Sequence, residues 1–264
     1  MARPVVAFLT DFGTADVYVG VMKGVVLGIC PDAALVDVTH DLAPHDVHHG
    51  AHALAAAYAH FPPDTIFVVV VDPGVGSARR GIAAELGAYR FVAPDNGVLT
   101  PAFEDLGPGR VVALENPRYR GVVLSRTFEG RDRFAPAAAW LAMGVALDTL
   151  GPAITDAQRI NLSRPQIGDV GIEAHVIHVD HFGNLITDLG RSALQRFTAS
   201  GGVRIRVAEA TIDRIAGTYA DVAAGALCAL IGSTDTLEIS CREGSAARRL
   251  GVGRGATVSI SRGE

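Results

Sequence analysis

The chain has 264 residues, 49% of them hydrophobic, which is enough for a sizeable core in one large domain or two modest ones. The formal net charge of −5 argues against a nucleic-acid partner, and no apolar stretch is long enough to predict a membrane span or a signal peptide. The three cysteines are widely separated, so they predict neither a disulfide framework nor a zinc motif but a protein of the reduced cytoplasm.

The first half of the chain alternates between short apolar runs and segments with helical periodicity. Strands are predicted at residues 5–9, 34–39, 66–71, 81–86, 89–93 and 111–115, and helices at residues 17–30, 46–60, 99–106 and 137–146. Strands that are apolar throughout are typical of a parallel sheet covered on both faces. This half therefore predicts an α/β domain with a Rossmann-like layered sheet over residues 1–162.

From about residue 171 the apolar residues recur with the period of a strand that is buried on one face. Such strands are predicted at residues 173–178, 203–208, 228–231, 237–240 and 257–261, and the helical stretches between them are short. This pattern is typical of an antiparallel sheet or a small barrel. The second half therefore predicts an all-β C-terminal domain, a small barrel, over residues 168–264.

The apolar run at residues 66–71 ends in a loop that carries both acidic and basic side chains. Asp72 follows the run directly, a proline and two glycines come next, and Arg79 and Arg80 close the loop. Ligands of open α/β sheets bind at the carboxyl ends of the strands, so this loop is the predicted chemical centre. The alternative interpretation is a strand-ending turn in which Asp72 caps the amides of its own loop.

Acidic residues also follow the first strand and precede the helix at residues 137–146. Asp11 and Asp16 either cap the helix after them or hold the hydroxyls of a ligand. Glu129 and Asp132 belong either to a capping box with surface charges or to a site loop. Spacing alone leaves both alternatives open for each pair.

Four histidines recur at helical spacing near residue 50. His45, His48, His49 and His52 would share one face of a helix, where a pair four residues apart could bind a metal. No glutamate lies between them as a metalloprotease helix requires. A polar, exposed helix face is therefore the preferred interpretation, and no metal site is predicted.

Six short motifs occur in an order that resembles one family over essentially the whole chain. They are residues 10–13 (TDFG), 29–32 (ICPD), 71–76 (VDPGVG), 93–97 (APDNG), 128–132 (FEGRD) and 180–184 (DHFGN). Together they resemble the S-adenosyl-L-methionine hydroxide adenosyltransferases, relatives of the fluorinase and the chlorinase. The resemblance implies an N-terminal α/β domain, a C-terminal β-barrel and a homotrimer whose ligand lies between neighbouring subunits.

The resemblance also implies roles at the ribose and methionine ends of the ligand. Asp11 matches the residue that takes the ribose hydroxyls, and Asp16 matches the acid near the methionine amino group. His45 occupies the position of an aromatic residue that stacks over the ribose in the halogenases. Ser233 and Glu238 match contacts to the methionine end.

A second group of residues matches the adenine end of the ligand. Asn184 matches the amide that binds adenine, with Phe182 beside it and Asp180 upstream. Near Cys241 the family offers main-chain groups to adenine. These residues all belong to the second half of the chain, whereas Asp11 belongs to the first.

The hydroxide-transferring members resemble one another in using an Asp, an Arg and a His to hold a water. Asp72 and Arg79 match the first two, but Glu129 occupies the position of the histidine. The halogenases have a tyrosine at the position of Asp72, and this chain does not. The match therefore favours a water-holding site in which an acid replaces the usual histidine.

Displacement at C5′ of a sulfonium needs little help for the leaving group, because neutral methionine departs from a cation. The demand is on the water, which must be aligned opposite the sulfur and lose a proton. Asp72 and Glu129 cannot both ionise cheaply at close range, so one pKa is expected to rise, while Arg79 offsets part of the repulsion. No metal or redox cofactor is required, since S-adenosyl-L-methionine is the substrate.

Three functions compete for this sequence. The preferred one is hydrolysis of S-adenosyl-L-methionine to adenosine and L-methionine. Halide transfer in the same fold is an alternative, which the carboxylate of Asp72 disfavours. The other alternative is a non-catalytic protein that binds S-adenosyl-L-methionine or adenosine, for which Glu129 is the only support.

Overall fold

The computed structural model describes residues 3–122, 124–199 and 201–263. Met1, Ala2 and Glu264, at the ends of the two predicted domains, lie outside the described residues. The chain divides into two compact units, Met1–Asn161 and Leu162–Glu264. Within the described ranges, the helices are all too short or too polar to cross a membrane.

The first unit is built on a mixed six-stranded sheet. Its strands are β1 (Val5–Thr10), β2 (Ala34–Thr39), β3 (Ile66–Val70), β4 (Gly81–Leu86), β5 (Tyr89–Pro94) and β6 (Arg110–Ala113), in the order β2-β1-β3-β5-β4-β6. The four strands β2, β1, β3 and β5 run parallel, whereas β4 pairs antiparallel with both β5 and β6. The carboxyl ends of the four parallel strands therefore meet at one edge of the sheet.

Helices cover both faces of this sheet, which is why β3 is apolar along its whole length. Successive side chains of a strand point to opposite faces, so Val68 packs on one side and Phe67 on the other. The helices are α1 (Tyr18–Ile29), α2 (Val47–Ala57), α3 (Thr100–Asp105) and α4 (Ala135–Ala142). Buried residues of α1 and α4 share the core with Val68, and those of α2 and α3 share the core with Phe67.

The second unit is built on one antiparallel sheet. Its strands are β7 (Gln166–Ile167), β8 (Gly171–Val179), β9 (Leu185–Gly190), β10 (Val203–Val207), β11 (Ala210–Ile212), β12 (Leu227–Ile231), β13 (Thr236–Cys241) and β14 (Thr257–Arg262), with helices α5 (Arg191–Thr198) and α6 (Ala246–Leu250). The main path runs β11-β10-β14-β8-β9-β13-β12, and β7 pairs with β8. A bridge between Ile215 and Ala229 connects the segment after β11 to β12, so the two ends of the sheet approach each other.

The prediction that four histidines share one face of a helix is wrong for His45. Helix α2 begins at Val47, and Asp46 is its N-cap, where its carboxylate accepts a hydrogen bond from the His49 amide at 2.9 Å. His45 lies before the helix with a φ of +65°, so it does not share the face of the helical histidines. Across the described residues, no group of three or more His, Cys, Asp or Glu side chains is arranged to hold a metal ion.

Candidate active site

The loop after β3 brings Arg79 back onto Asp72. The loop turns at Gly76, whose φ is +78° and where a Cβ would lie 3.2 Å from the carbonyl oxygen of Arg126. Arg79 Nη2 donates a hydrogen bond of 2.6 Å to Asp72 Oδ2. The two side chains are only 8% and 5% exposed, so this ion pair is buried.

Glu129 joins the same ion pair from a distant part of the chain. Arg79 Nη2 also donates to Glu129 Oε2, at 2.5 Å, so one guanidinium nitrogen bridges the two carboxylates. The guanidinium of Arg79 lies over the ring of Phe134, with 5.6 Å between its central carbon and the ring centroid. The structure therefore brings Asp72, Arg79 and Glu129 together, as the sequence predicts.

Glu129 is fixed from its other side as well. It lies directly before a π-helical turn, Gly130–Phe134, which leads into α4. Four residues on, Arg133 places Nη2 3.1 Å from Glu129 Oε1. Each carboxylate oxygen of Glu129 thus faces a different guanidinium. Inserted π turns of this kind are frequent at functional sites.

Burial and charge together set the protonation of Asp72. Burial is the largest effect and raises the pKa of Asp72, Arg79 lowers it, and the neighbouring charge of Glu129 raises it again. The result is a pKa above the ordinary value for an aspartate. Among the described residues, Asp72 Oδ1 is buried and has no hydrogen-bond partner. That oxygen is therefore an available acceptor, and the raised pKa makes the Asp72 carboxylate more basic than an ordinary aspartate.

A cavity of about 220 Å³ adjoins this group on the Glu129 side. Arginines contribute much of its wall, namely Arg120, Arg126 and Arg133. Arg120 Nε is buried, and it lacks a hydrogen-bond partner within the described ranges. Glu129 lines this cavity and also contacts Arg79, so it stands between the cavity and Asp72.

The loops after β1 and β2 are tied together beside this site. The His45 amide donates a hydrogen bond of 2.7 Å to Asp11 Oδ2, and the Gly13 amide donates one of 2.8 Å to the carbonyl of His40. Thr10 Oγ1 lies 2.9 Å from Nδ1 of the buried His40 ring, which is a third link. Asp11 and His45 are therefore neighbours, whereas Asp16 is an exposed residue of the loop after β1.

In the second unit, Asp180 organises the turn between β8 and β9. Asp180 Oδ1 accepts the amides of Phe182 and Asn184 at 2.9 and 2.8 Å, and Oδ2 accepts the Asn184 side-chain amide at 2.8 Å. Asn184 is buried, but Phe182 is 72% exposed. The turn thus fixes the side-chain amide of Asn184 and leaves the ring of Phe182 exposed.

Glu238 is held by hydroxyl groups inside the second unit. Its Oε1 accepts hydrogen bonds from Tyr219 at 2.7 Å and from Ser240 at 2.5 Å. Burial, followed by this bond, raises the pKa of Tyr219 to about 12. Ser233 is exposed in the turn before β13, and Cys241 is buried at the end of β13. Glu238 therefore has hydrogen-bond partners, Tyr219 and Ser240, within the second unit. Its role in ligand binding stays a prediction.

Sequence reasoning did not predict Arg133 and Arg120, which the structure places at the site. Arg133 carried a usable signal, because a cation four residues after an acid pairs with it on a helix. Arg120 carried none, since it reaches the cavity from a separate segment.

Comparison with known proteins supports the family resemblance. The chain matches the family model of the SAM hydroxide adenosyltransferase N-terminal domain over residues 6–151 and that of the C-terminal domain over residues 174–259. The (R)-S-adenosyl-L-methionine hydrolase of Thermus thermophilus is 40% identical to it over 265 residues, covering 98% of this chain and 99% of that protein.

Two further matches also span nearly the whole chain. The fluorinase of Nocardia brasiliensis is 27% identical over 296 residues, covering 99% of this chain and 98% of that protein. The crystal structure of an uncharacterized conserved protein from Thermotoga maritima matches with a TM-score of 0.92 at 36% identity, covering 97% of this chain and 100% of that chain. The resemblance seen in the six motifs is thus confirmed, and the chain belongs to the SAM hydroxide adenosyltransferase family.

Proposed function

We propose that the protein hydrolyses S-adenosyl-L-methionine to adenosine and L-methionine. The observation that carries this proposal is the buried carboxylate of Asp72, whose Oδ1 has no partner among the described residues while Arg79 and Glu129 hold its other side. A water that donates to Asp72 Oδ1 would be oriented and made more nucleophilic as it reacts. The relatives named as (R)-S-adenosyl-L-methionine hydrolases support the same substrate class.

The reaction balances with these residues alone. The water oxygen forms a bond to C5′, the C5′–sulfur bond breaks, and its electron pair stays on the sulfur of methionine. The water loses one proton, which Asp72 accepts and later releases to solvent. Arg79 keeps the two acids in place through its bridging nitrogen. The positive charge of the sulfonium is balanced by the released proton, so the products are neutral adenosine, neutral methionine and one proton.

Halide transfer is disfavoured by the same geometry. A halide ion at the unpartnered Oδ1 of Asp72 would meet a carboxylate oxygen that repels it, whereas a water can donate a hydrogen bond to that oxygen. A non-catalytic binding protein is disfavoured because the acid, the arginine and the second acid are all in contact. Hydrolysis accordingly remains the function that the site supports best.

The proposal includes binding roles for the remaining site residues. Asp11 would hold the ribose hydroxyls beside His45, Asp16 would face the methionine amino group, and the C-terminal residues Asp180, Phe182, Asn184, Ser233, Glu238 and Cys241 would contact adenine and methionine. It also includes a Rossmann-like domain over residues 1–162, a small β-barrel over residues 168–264, no cofactor, and a cytoplasmic location.

We expect the purified protein to release equal amounts of adenosine and L-methionine from S-adenosyl-L-methionine without an added metal. The two sulfonium epimers should be supplied separately, because the relatives are hydrolases named for the (R) form. Chromatography of the products measures both nucleoside and amino acid. A chloride-dependent product other than adenosine would favour halide transfer, and activity that needs added zinc would contradict the metal-free mechanism.

We also propose that the active form is a homotrimer with sites shared between subunits. The proposed ligand residues divide between the two halves of the chain, with Asp11 and Asp72 in one and Asn184 and Ser233 in the other. Light scattering should therefore give three times the mass of the chain. Mixing an Asp72→Asn protein with an Asn184→Ala protein should restore activity by subunit exchange. A fully active monomer would contradict the trimer.

A further inference from the structure

We propose that Arg133 is a positioning residue that holds Glu129 as an oriented anion against the Asp72–Arg79 pair. This inference rests on the proposed hydrolysis, because it gives Arg133 a part in the same reaction. Arg133 acts through Glu129 and does not itself touch the reacting atoms.

The first support is the way in which Glu129 is bound. Arg79 donates to Oε2 at 2.5 Å, and Arg133 lies 3.1 Å from Oε1. With one cation on each oxygen, the carboxylate can neither rotate freely nor move toward Asp72. Its charge therefore stays at a fixed place, from which it raises the pKa of Asp72.

The second support is the space that β4 leaves for Arg133. Gly81 is the first residue of β4, and a Cβ built there would lie 2.6 Å from Arg133 Cδ and 2.9 Å from Phe134 Cε1. Any larger residue at position 81 would push Arg133 aside. The missing side chain thus allows the arginine to extend along the sheet toward Glu129.

The third support is electrostatic. Burial is the largest effect on Arg133 and lowers its pKa, while Glu129 raises it and the like charges of Arg120 and Arg79 lower it further. The Arg133 side chain is 19% exposed, so solvent offsets little of this cost. An arginine remains charged under such conditions, and Glu129 is the carboxylate that compensates it most, followed by Asp72.

Removing Arg133 should therefore change the protonation of Asp72. Without this cation, less positive charge lies near the Asp72 carboxyl, which then takes up a proton more readily. The acid limb of the pH profile of kcat should move to higher pH. Glu129→Gln should move the same limb to lower pH, because Glu129 raises the pKa of Asp72.

The experiment compares Arg133→Met, Arg133→Lys and Glu129→Gln, alone and combined. We expect Arg133→Met to lower kcat by roughly 10- to 100-fold through misplacement of Glu129, with little change in KM, and Arg133→Lys to recover part of the loss. In the Glu129→Gln background, Arg133→Met should cause no further loss, since its partner is already neutral. Gly81→Ala should also lower kcat without changing a charge, because the new Cβ would displace Arg133 and crowd Phe134, over whose ring Arg79 lies.

Two outcomes of the comparison of variants would overturn the positioning role. One is a multiplicative loss when Arg133→Met is added to Glu129→Gln. The other is a melting temperature that falls while the pH profile stays in place, which would indicate a structural arginine only. A carbon-13 NMR titration of the Asp72 carboxyl in wild type and Arg133→Met does not depend on turnover. An unchanged titration overturns this inference, whereas a wild-type protein that releases no adenosine overturns the proposed function instead.

Discussion

Asp72→Asn is expected to lower kcat by roughly 100- to 10,000-fold, the range usual for a lost general base. Asparagine keeps the shape of the side chain and an oxygen that can orient a water, but it cannot accept the proton. The effect should fall on turnover more than on KM, because proton acceptance occurs as the reaction proceeds. Single-turnover kinetics, in which substrate is limiting, measure this step directly.

The same substitution should raise the melting temperature at neutral pH. The pKa of Asp72 is raised in the folded protein, chiefly by burial, so the folded state binds its proton more tightly than the unfolded state. The stability contributed by the protonated form is complete below the unfolded pKa and is lost as the pH rises through the folded one. Asparagine removes that loss, so melting curves of the two proteins should differ above this window and converge in acid.

Asp11→Ala is the matched control for Asp72→Asn. Asp11 is proposed to bind ribose hydroxyls, and its carboxylate is already tied to the His45 amide. Its removal should raise KM more than it lowers kcat. Equal changes in KM for the two variants would contradict the division between a binding acid and a proton-accepting acid.

Glu129→Gln should lower kcat by roughly ten- to ten-thousand-fold. The glutamine oxygen can accept from Arg79 or from Arg133 but not from both, because its NH2 group only donates, and the side chain brings no negative charge to the bridge between them. Arg79 then has one anion, Asp72, and the pKa of Asp72 should fall because the repulsion from Glu129 is gone. A weaker base at Asp72 and a less fixed water together account for the loss.

Glu129→His is the informative companion to Glu129→Gln. It places at this position the histidine that the family resemblance implies, and we expect it to keep substantial activity. The acid limb of its pH profile should lie near the histidine range, at about 6.5. If Glu129→Gln keeps wild-type turnover between pH 5 and 9, Glu129 is a loop acid and Asp72 with Arg79 holds the water alone.

Periodicity was sufficient for most of the fold, and its failures have physical causes. The strand predicted at residues 34–39 has the observed bounds of β2, because turn-forming residues flank it on both sides. Pro31 and Asp32 precede it, and Asp41 and Pro44 follow it. Strand β9 and helix α5 were missed. Gly190 both ends β9 and caps α5, so the chain changes from strand to helix without an intervening loop to mark the boundary.

The site was less predictable, because its parts come from distant segments. Asp72 and Arg79 lie in one loop, so their contact follows from a turn rich in glycine and proline. Glu129 is 50 residues away from Arg79, and only the resemblance placed it there. Arg120 reaches the cavity through tertiary packing, which no local pattern records.

Arg79 and Arg80 are adjacent, yet their side chains point in opposite directions and bind different acids. Arg79 turns inward to Asp72, whereas Arg80 turns outward and donates to Asp95 at 2.7 Å and to Asp156 at 2.9 Å. Because the two neighbouring side chains bind acids on opposite sides, a shift of one residue would exchange the two arginines. The length of the loop after β3 is therefore as important to the site as the identity of its residues. An insertion or deletion between Asp72 and Arg79 would turn the inner arginine toward the outer acids and leave Glu129 without its bridge.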